Sequence, residues 1–233
     1  MEQIKLPRLS ASKLKLYQKC PKMYLHKYRD RADSSNIWAI VGTAAHSAIE
    51  QYYLYGTSMA QTFMQKLNNV NADIEGYQYF PTLLNDILRG LNTFNADKYE
   101  TLKINDKLQL EQHFRLKYPN DENPICTLEG YIDRLIPDGF IDYKTGKEKV
   151  SKKALKNDLQ FAVYFWAYER IRGMRAEKGI YHRIRDNKET IITETNDILD
   201  TAIRTMLNDP MIYDDSPCDS CVFYCALHQK HET

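Results

Sequence analysis

The amino-acid sequence predicts an α/β (α+β) fold in which helices flank a central mixed β-sheet. Residues 1–105 have the helical spacing of apolar side chains, residues 106–195 contain the alternation typical of strands, and residues 196–233 add a helix and a cysteine-rich segment. The 233 residues are 43% hydrophobic and 27% charged, which is enough apolar material for one sizeable core. No internal repeat or Gly/Ser linker interrupts the chain, so we expect a single domain over residues 1–233.

The first part of the chain predicts a helical cap. Ser10 or Ser12 can cap a short helix that runs toward Cys20, and Pro21 suits the first turn of a second helix that continues through Tyr28. Three more helices are predicted at residues 37–55, 58–68 and 77–99, the first of them buried and carrying His46.

The middle of the chain predicts the sheet. Strand-like alternation covers residues 107–118, 125–136 and 140–144, and Asp138-Gly139 predicts a tight turn between the last two. The remaining elements are a helix at 151–172, a hairpin of strands 179–185 and 190–194 about Asp186-Asn187, and a helix at 197–208.

Hydropathy predicts a protein of the cytoplasm. The longest nearly apolar stretches, residues 37–45 and 161–168, are well short of the roughly 18 residues that a bilayer span needs. The first residues lack the apolar region of a secretory signal, so we expect a reducing compartment and no membrane partner. Disulfides are then a poor explanation for five cysteines.

The formal net charge of +1 conceals a strong asymmetry along the chain. Residues 1–31 hold nine Lys and Arg against two acidic residues, whereas residues 187–221 hold two basic residues against eight acidic ones. The basic segment is interleaved with tyrosines, which suits a phosphate backbone with bases to stack on. The candidate DNA contacts are Lys13, Lys15, Tyr17 and Lys22. A solvated helix face is the alternative interpretation.

Two carboxylates and a lysine are predicted to converge on neighbouring strands. Asp142 and Lys144 are two residues apart and therefore share one face of a strand, and a hairpin neighbour can bring Asp133 beside them. Oxygen ligands of this kind hold Mg²⁺ or Mn²⁺, which can activate water against a phosphodiester. Taken alone, Asp142-Tyr-Lys-Thr-Gly is more typical of a strand that ends in a turn than of a metal site.

Four sequence blocks stand in a fixed order over nearly the whole chain. They are Gly42-Thr-Ala-Ala-His46, Gly130-Tyr-Ile-Asp133-Arg, Asp142-Tyr143-Lys144-Thr-Gly, and Gln160-Phe-Ala-Val-Tyr164. In these blocks the sequence resembles the PD-(D/E)XK nuclease superfamily. Within it, the resemblance is to the RecB-type branch that includes the AddB nuclease domain and the iron-sulfur nucleases of CRISPR adaptation.

The resemblance implies a restriction-endonuclease-like core and a role for each motif residue. His46, Asp133, Asp142 and the backbone carbonyl of Tyr143 would ligate one or two divalent ions. The list of catalytic residues would be Asp133, Asp142, Lys144, Gln160 and Tyr164. Glu111, on the preceding strand, is a further acidic candidate.

The resemblance extends to the cysteines. It implies that Cys20, Cys218, Cys221 and Cys225 hold one [4Fe-4S] cluster that joins the two ends of the chain. Only three residues separate Cys221 from Cys225, which is fewer than the family pattern. Zinc held by Cys20, Cys218, Cys221 and either Cys225 or His228 is therefore an alternative. Cys126 is expected to be an ordinary buried thiol.

The sequence thus predicts a Mg²⁺- or Mn²⁺-dependent DNA nuclease, most consistent with an exonuclease that prefers single strands or DNA ends in recombination, repair or phage DNA processing. A non-catalytic iron-sulfur subunit that binds DNA, or a CRISPR adaptation factor, is the alternative. Both strand polarities and a homo-oligomer are compatible with the sequence.

Overall fold

The computed structural model describes residues 6–28, 37–68 and 80–209. The helical first part has five α-helices: α1 (Ala11–Lys19), α2 (Pro21–Tyr28), α3 (Ile37–Tyr55), α4 (Met59–Asn68) and α5 (Phe80–Asn92). The Ser10 side chain caps α1 by accepting from the Lys13 amide at 3.3 Å, as its sequence position predicts.

The helix predicted at 77–99 is shorter in the structure, in which α5 ends at Asn92 and one 3-10 turn follows at Ala96–Lys98. The Thr93 hydroxyl donates to the carbonyl oxygen of Arg89 at 2.9 Å. It thereby occupies a backbone acceptor at the point where the helix ends, which favours termination there.

The strands are β1 (Arg8–Leu9), β2 (Lys103–Ile104), β3 (Lys107–Leu108), β4 (Leu110–Tyr118), β5 (Cys126–Ile136), β6 (Gly139–Lys144), β7 (Lys178–Arg183) and β8 (Lys188–Ile192). The single strand predicted at 107–118 is therefore divided, because β3 pairs with β2 in a small separate hairpin. Asn105 and Asp106 form its turn with φ of 50° and 62°, the left-handed conformation that tight hairpins require.

The main sheet is mixed, and β5 is its longest strand. The antiparallel strand β4 pairs along one side of β5, and on the other side β1 pairs in parallel with its beginning and β6 antiparallel with its end. Strand β7 is parallel to β6, and β8 closes the order as a hairpin partner of β7. This confirms the predicted fold class of a mixed sheet flanked by helices.

The helix predicted at 151–172 is two helices, α6 (Lys152–Lys156) and α7 (Leu159–Arg172). The Asp158 carboxylate separates them, because it accepts from the amides of Gln160 and Phe161 and so caps α7. Gly173 ends α7 with φ of 68°, and the last described helix is α8 (Leu199–Asn208).

Two apolar cores lie on either side of the sheet. One packs α1, α7 and α8 against residues such as Leu128 and Phe140, and the other packs α3, α4 and α5 against Ile141 and Tyr143. Helix α5 comes so close to the end of β7 that a Cβ on Gly90 would lie 1.8 Å from the carbonyl oxygen of Ile184. Within the described ranges, no helix combines the length and the apolar composition needed to cross a membrane.

Candidate metal centre

The sheet register brings the candidate acids together. The β5–β6 ladder pairs Arg134 with Ile141, so Asp133 and Asp142 follow at the next position of the hairpin. The Tyr143 amide donates to Asp133 Oδ2 at 2.6 Å, which fixes this carboxylate against β6. Asp133 and Asp142, which are 87 and 96 positions from His46, thus lie on two adjacent strands of one hairpin.

His46, Glu111 and Asp133 form a group that can hold a metal ion. His46 Nδ1 lies 3.5 Å from Glu111 Oε1 and 3.5 Å from Asp133 Oδ1. One ligand atom from each residue lies within 4.8 Å of the other two. Imidazole nitrogen with two carboxylate oxygens is a donor set that suits divalent cations.

Glu111 owes its position to an unusual backbone conformation. It lies between the ladder pairs Leu110–Arg134 and Gln112–Ile132, and is therefore opposite Asp133. Its φ is 44°, a conformation that costs on the order of 1–3 kcal/mol for a residue with a side chain. Such strain persists where the surrounding structure fixes it, and here it accompanies an acid at the candidate site.

Asp142 is fully buried and incompletely hydrogen-bonded. Its Oδ1 accepts from Lys144 Nζ at 2.7 Å and from Gln160 Nε2 at 3.1 Å. Its Oδ2 is buried and has no hydrogen-bond partner within the described structure. Burying a carboxylate oxygen without a hydrogen bond costs free energy, and a bound cation would offset this cost at Asp142 Oδ2.

Helix α7 supplies the polar residues that surround Asp142. Gln160 Oε1 accepts from Lys144 Nζ at 3.1 Å, and Gln160 Nε2 also donates to the Tyr164 hydroxyl at 2.8 Å. Gln160 and Tyr164 are four residues apart and so lie on one face of the helix. The structure therefore places Gln160 and Tyr164 where the sequence predicts, although their roles stay predictions.

The pKa values at this centre reflect uncompensated negative charge. Burial raises the pKa of Asp133, and the charge of Asp142 adds to it, whereas His46 and Lys144 oppose it. Burial lowers the pKa of His46, but the charges of Asp133 and Glu111 outweigh burial and raise it to about 9. His46 is then protonated at neutral pH without a metal, and its Nε2 donates to the Tyr143 carbonyl oxygen at 2.9 Å.

Lys144 stays a cation in the metal-free site. Burial lowers its pKa, but the charges of Asp142 and Asp133 outweigh burial and raise the pKa above the ordinary value. The residues of this centre fit a divalent cation on two grounds, namely the three converging ligand atoms and the Asp142 oxygen that no described residue hydrogen-bonds.

The predicted DNA-contacting residues of the first helices lie outside this centre, and the side chains of two of them are buried. Tyr17 is 5% exposed and donates its hydroxyl hydrogen to Asp209, and Lys22 is 8% exposed. Stacking and phosphate binding need exposed groups, so the DNA contacts of Tyr17 and Lys22, which stay predictions, would require these side chains to move outward. Lys13 Nζ donates to the Arg8 carbonyl oxygen at 2.8 Å, and Lys15 Nζ pairs with Asp158 Oδ2 at 2.8 Å.

Of the predicted cluster ligands, only Cys20 lies within the described residues. It is half-buried and forms the C-cap of α1. Cys218, Cys221 and Cys225, with the alternative zinc ligand His228, lie outside the described residues. Cys126 is fully buried, and burial raises the pKa of its thiol to about 12, as expected of an ordinary core cysteine.

Comparison with known proteins gives one family. A model of the PD-(D/E)XK nuclease superfamily matches residues 8–225. No curated protein sequence matches the chain. A solved structure titled "Crystal structure of SSO0001" is 16% identical and aligns over 92% of this chain and 91% of that one, with a TM-score of 0.28, which is too low to support an argument. The family match spans nearly the whole chain and includes every residue of the centre described above, and the protein belongs to the PD-(D/E)XK nuclease superfamily.

Proposed function

We propose that the protein is a Mg²⁺- or Mn²⁺-dependent deoxyribonuclease that hydrolyses phosphodiester bonds at the centre around Asp142. The observation that carries this proposal is the buried Oδ2 of Asp142, which has no hydrogen-bond partner in the described part of the chain and lies beside an ammonium group. A carboxylate that served only the fold would have its hydrogen bonds satisfied.

Four side chains would hold the cation. His46, Glu111 and Asp133 would offer the three converging ligand atoms, and Asp142 would add its buried Oδ2. The Tyr143 carbonyl oxygen, which lies 2.9 Å from His46 Nε2, would be a further ligand. A bound divalent ion supplies Lewis-acid polarisation of the phosphodiester and a lowered pKa for water. His46 must lose its proton to act as a ligand, so cation binding competes with protonation.

Lys144 would position the attacking water and stabilise charge at phosphorus. Its ammonium group is held by Asp142 Oδ1 and Gln160 Oε1, and its side chain is 30% exposed. Because its pKa is raised, it donates hydrogen bonds and does not take up a proton.

Gln160 and Tyr164 would act as substrate-facing groups. The amide of Gln160 links Asp142, Lys144 and the Tyr164 hydroxyl, so a movement of one of these groups affects the others. Burial raises the pKa of Tyr164 well above its ordinary value, and the neutral phenol can donate to a phosphate oxygen.

We further propose a RecB/AddB-type enzyme that acts on single strands or DNA ends in recombination, repair or phage DNA processing. The motif order His46, Asp133, Asp142, Lys144 and Gln160 supports this assignment, as does the basic character of residues 1–31.

Digestion of labelled DNA tests both proposals. Linear single strands, duplexes, end-blocked strands and circles are incubated with Mg²⁺, Mn²⁺ or chelator. We expect metal-dependent degradation of linear strands, no cleavage by Asp142→Ala or Lys144→Ala, and full activity of the matched control Asp121→Ala, whose side chain is 67% exposed. Full activity of both site variants would falsify the nuclease. Degradation of circles would overturn only the exonuclease.

A [4Fe-4S] cluster is also proposed, with zinc as the alternative. Tyr17, three residues before Cys20, is hydrogen-bonded to Asp209, the last described residue. Cys218 follows nine residues later, a length that can span at most about 30 Å, so it can reach Cys20. After anaerobic purification we expect about four iron atoms per chain that are lost in Cys20→Ser and kept in Cys126→Ala. Stoichiometric zinc in a colourless protein would contradict the cluster.

A further inference from the structure

A cavity of about 400 Å³ opens beside the candidate metal centre. It lies between the start of α1, the strands β4 and β5, and helix α7. Its wall includes Ser10, Ser12, His113, Tyr131, Gln160 and Tyr164. The volume is in the range of small-ligand pockets.

Two exposed rings form one wall of this cavity. His113 and Tyr131 are opposite each other in the β4–β5 ladder, and their ring centroids are 4.9 Å apart with an interplanar angle of 47°. Tyr131 is 56% exposed, so burial in the core does not explain it. An open aromatic face of this kind can stack on a nucleobase.

The two rings lie two residues along their strands from the acids of the candidate metal centre. Tyr131 precedes Asp133 by two residues on β5, and His113 follows Glu111 by two residues on β4. Two residues of a strand span about 6.8 Å. The opposite wall carries Gln160, which is hydrogen-bonded to Asp142. A nucleotide in the cavity would therefore lie next to the candidate metal centre.

Charge contributes little on this wall. Arg115 Nε pairs with Glu129 Oε2 at 3.1 Å, and both residues line the cavity. Because this pair is nearly neutral, recognition here rests on the base and not on the phosphate.

We propose that the cavity is a nucleotide subsite in which one unpaired base of the substrate strand stacks on Tyr131 and His113, next to the phosphate to be cleaved. This inference rests on the proposed nuclease function and adds that the substrate is unpaired at this position, since a paired base cannot leave its stack to enter the cavity without cost.

Binding of a fluorescent single-stranded oligothymidylate to the full chain, measured by anisotropy in chelator, tests the subsite without cleavage. We expect Tyr131→Ala to weaken binding about 5- to 100-fold and Tyr131→Phe to keep it, because stacking needs the ring and not the hydroxyl. The loss should persist at high salt. The matched control is Tyr55→Ala, an exposed tyrosine at the end of α3 that is 70% exposed.

Oligonucleotides with one abasic residue at successive positions locate the base. We expect one position at which the abasic strand binds weakly to the wild type and equally weakly to Tyr131→Ala. The subsite is overturned if wild type and Tyr131→Ala bind every strand with the same affinity. It is also overturned if Tyr55→Ala loses as much affinity as Tyr131→Ala. If the wild type cleaves DNA and Tyr131→Ala binds it as tightly as the wild type, the nuclease proposal stands and the subsite is rejected. If Tyr131→Ala loses binding but the wild type cleaves no DNA, the subsite stands and the nuclease proposal is rejected.

Discussion

Two polar clusters lie on either side of strand β6 and differ in how their charges are balanced. Toward α7, Asp142 is bonded to Lys144 and Gln160 but keeps one oxygen without a partner among the described residues. Toward α3 and α5, Tyr143 packs against His182 and is bonded to Arg134. In the first cluster Lys144 occupies only one of the two Asp142 oxygens, whereas in the second both oxygens of the central carboxylate have partners.

The second cluster, here called the Glu189 network, centres on a buried carboxylate with three donors. Glu189 Oε2 accepts from Lys98 Nζ at 2.6 Å and from the Tyr99 hydroxyl at 2.8 Å, and Glu189 Oε1 lies 3.1 Å from His182 Nδ1. The Tyr99 carbonyl oxygen accepts from Arg134, whose guanidinium lies 4.2 Å from the centroid of the Tyr53 ring.

The pKa values of the two clusters shift in opposite directions. Burial would raise the pKa of Glu189, but hydrogen bonds from His182, Lys98 and Tyr99 outweigh burial and lower it to about 2. Burial raises the pKa of Asp133, and its neighbours do not reverse the shift. A carboxylate whose oxygens are all hydrogen-bonded stabilises the fold, whereas one whose charge is not fully compensated is available for chemistry.

The largest expected contrast is in catalysis. Asp142→Asn should lower the rate of Mg²⁺-dependent DNA cleavage by roughly 1,000-fold, because it removes a charged ligand. Glu189→Gln should leave the rate within about threefold, since it acts on the far side of the strand. Initial rates on a labelled single strand measure both, and a similar loss in the two variants would remove the distinction between the clusters.

The next largest effect is on stability. Arg134→Met should lower the free energy of unfolding by about 3–4 kcal/mol, because it leaves the Tyr99 carbonyl oxygen without its donor and removes the cation from the Tyr53 ring. Urea denaturation monitored by circular dichroism measures the change. Unchanged stability would show that this guanidinium is not a structural support.

The stability that the Glu189 network contributes should depend on pH. Because the pKa of Glu189 is lowered from 4.5 to about 2, its stabilisation is present above pH 4.5 and is lost as the pH falls through 2. Glu189→Gln should abolish roughly 2 kcal/mol of this acid-labile stability. Thermal melts between pH 7 and pH 2 test it, and identical pH profiles of wild type and variant would contradict it.

The smallest effect is expected at the surface pair of Lys15 and Asp158. The Lys15 side chain is 44% exposed, so Lys15→Ala should change stability by at most about 0.5 kcal/mol. Asp158→Ala should cost about 1 kcal/mol, because Asp158 also caps α7. Urea denaturation of both variants ranks the cap above the ion pair, and the reverse order would refute this interpretation.

Local signals in the sequence predict much of the helical part. Ser10 and Pro21 mark the starts of α1 and α2, and the apolar run of α3 has the predicted bounds Ile37–Tyr55. The strands β1 and β2 have two residues each, which is too short for any periodicity to appear. Asp158 was a visible cap signal within the predicted helix at 151–172.

The site is only partly readable from the sequence. Motif order predicts that His46, Asp133, Asp142 and Lys144 meet, and the structure brings them together. Glu111 gains its place from strand register and a positive φ, neither of which a single sequence displays.

Charge patterning does not say which face of a helix points outward, and the structure buries the side chains of Tyr17 and Lys22, two of the predicted DNA contacts. The buried stripe Ala11, Leu14 and Tyr17 at helical spacing was the signal that counted against Tyr17.

The most direct test of the metal centre is Mn²⁺ binding followed by electron paramagnetic resonance of the free ion. Wild type and Glu189→Gln should bind Mn²⁺ with equal affinity. Asp133→Asn should bind it at least about tenfold more weakly, because it removes the charge of one of the three ligands, the other two being His46 and Glu111. Equal Mn²⁺ affinity of Asp133→Asn and wild type would contradict the assignment of this cluster as the metal centre.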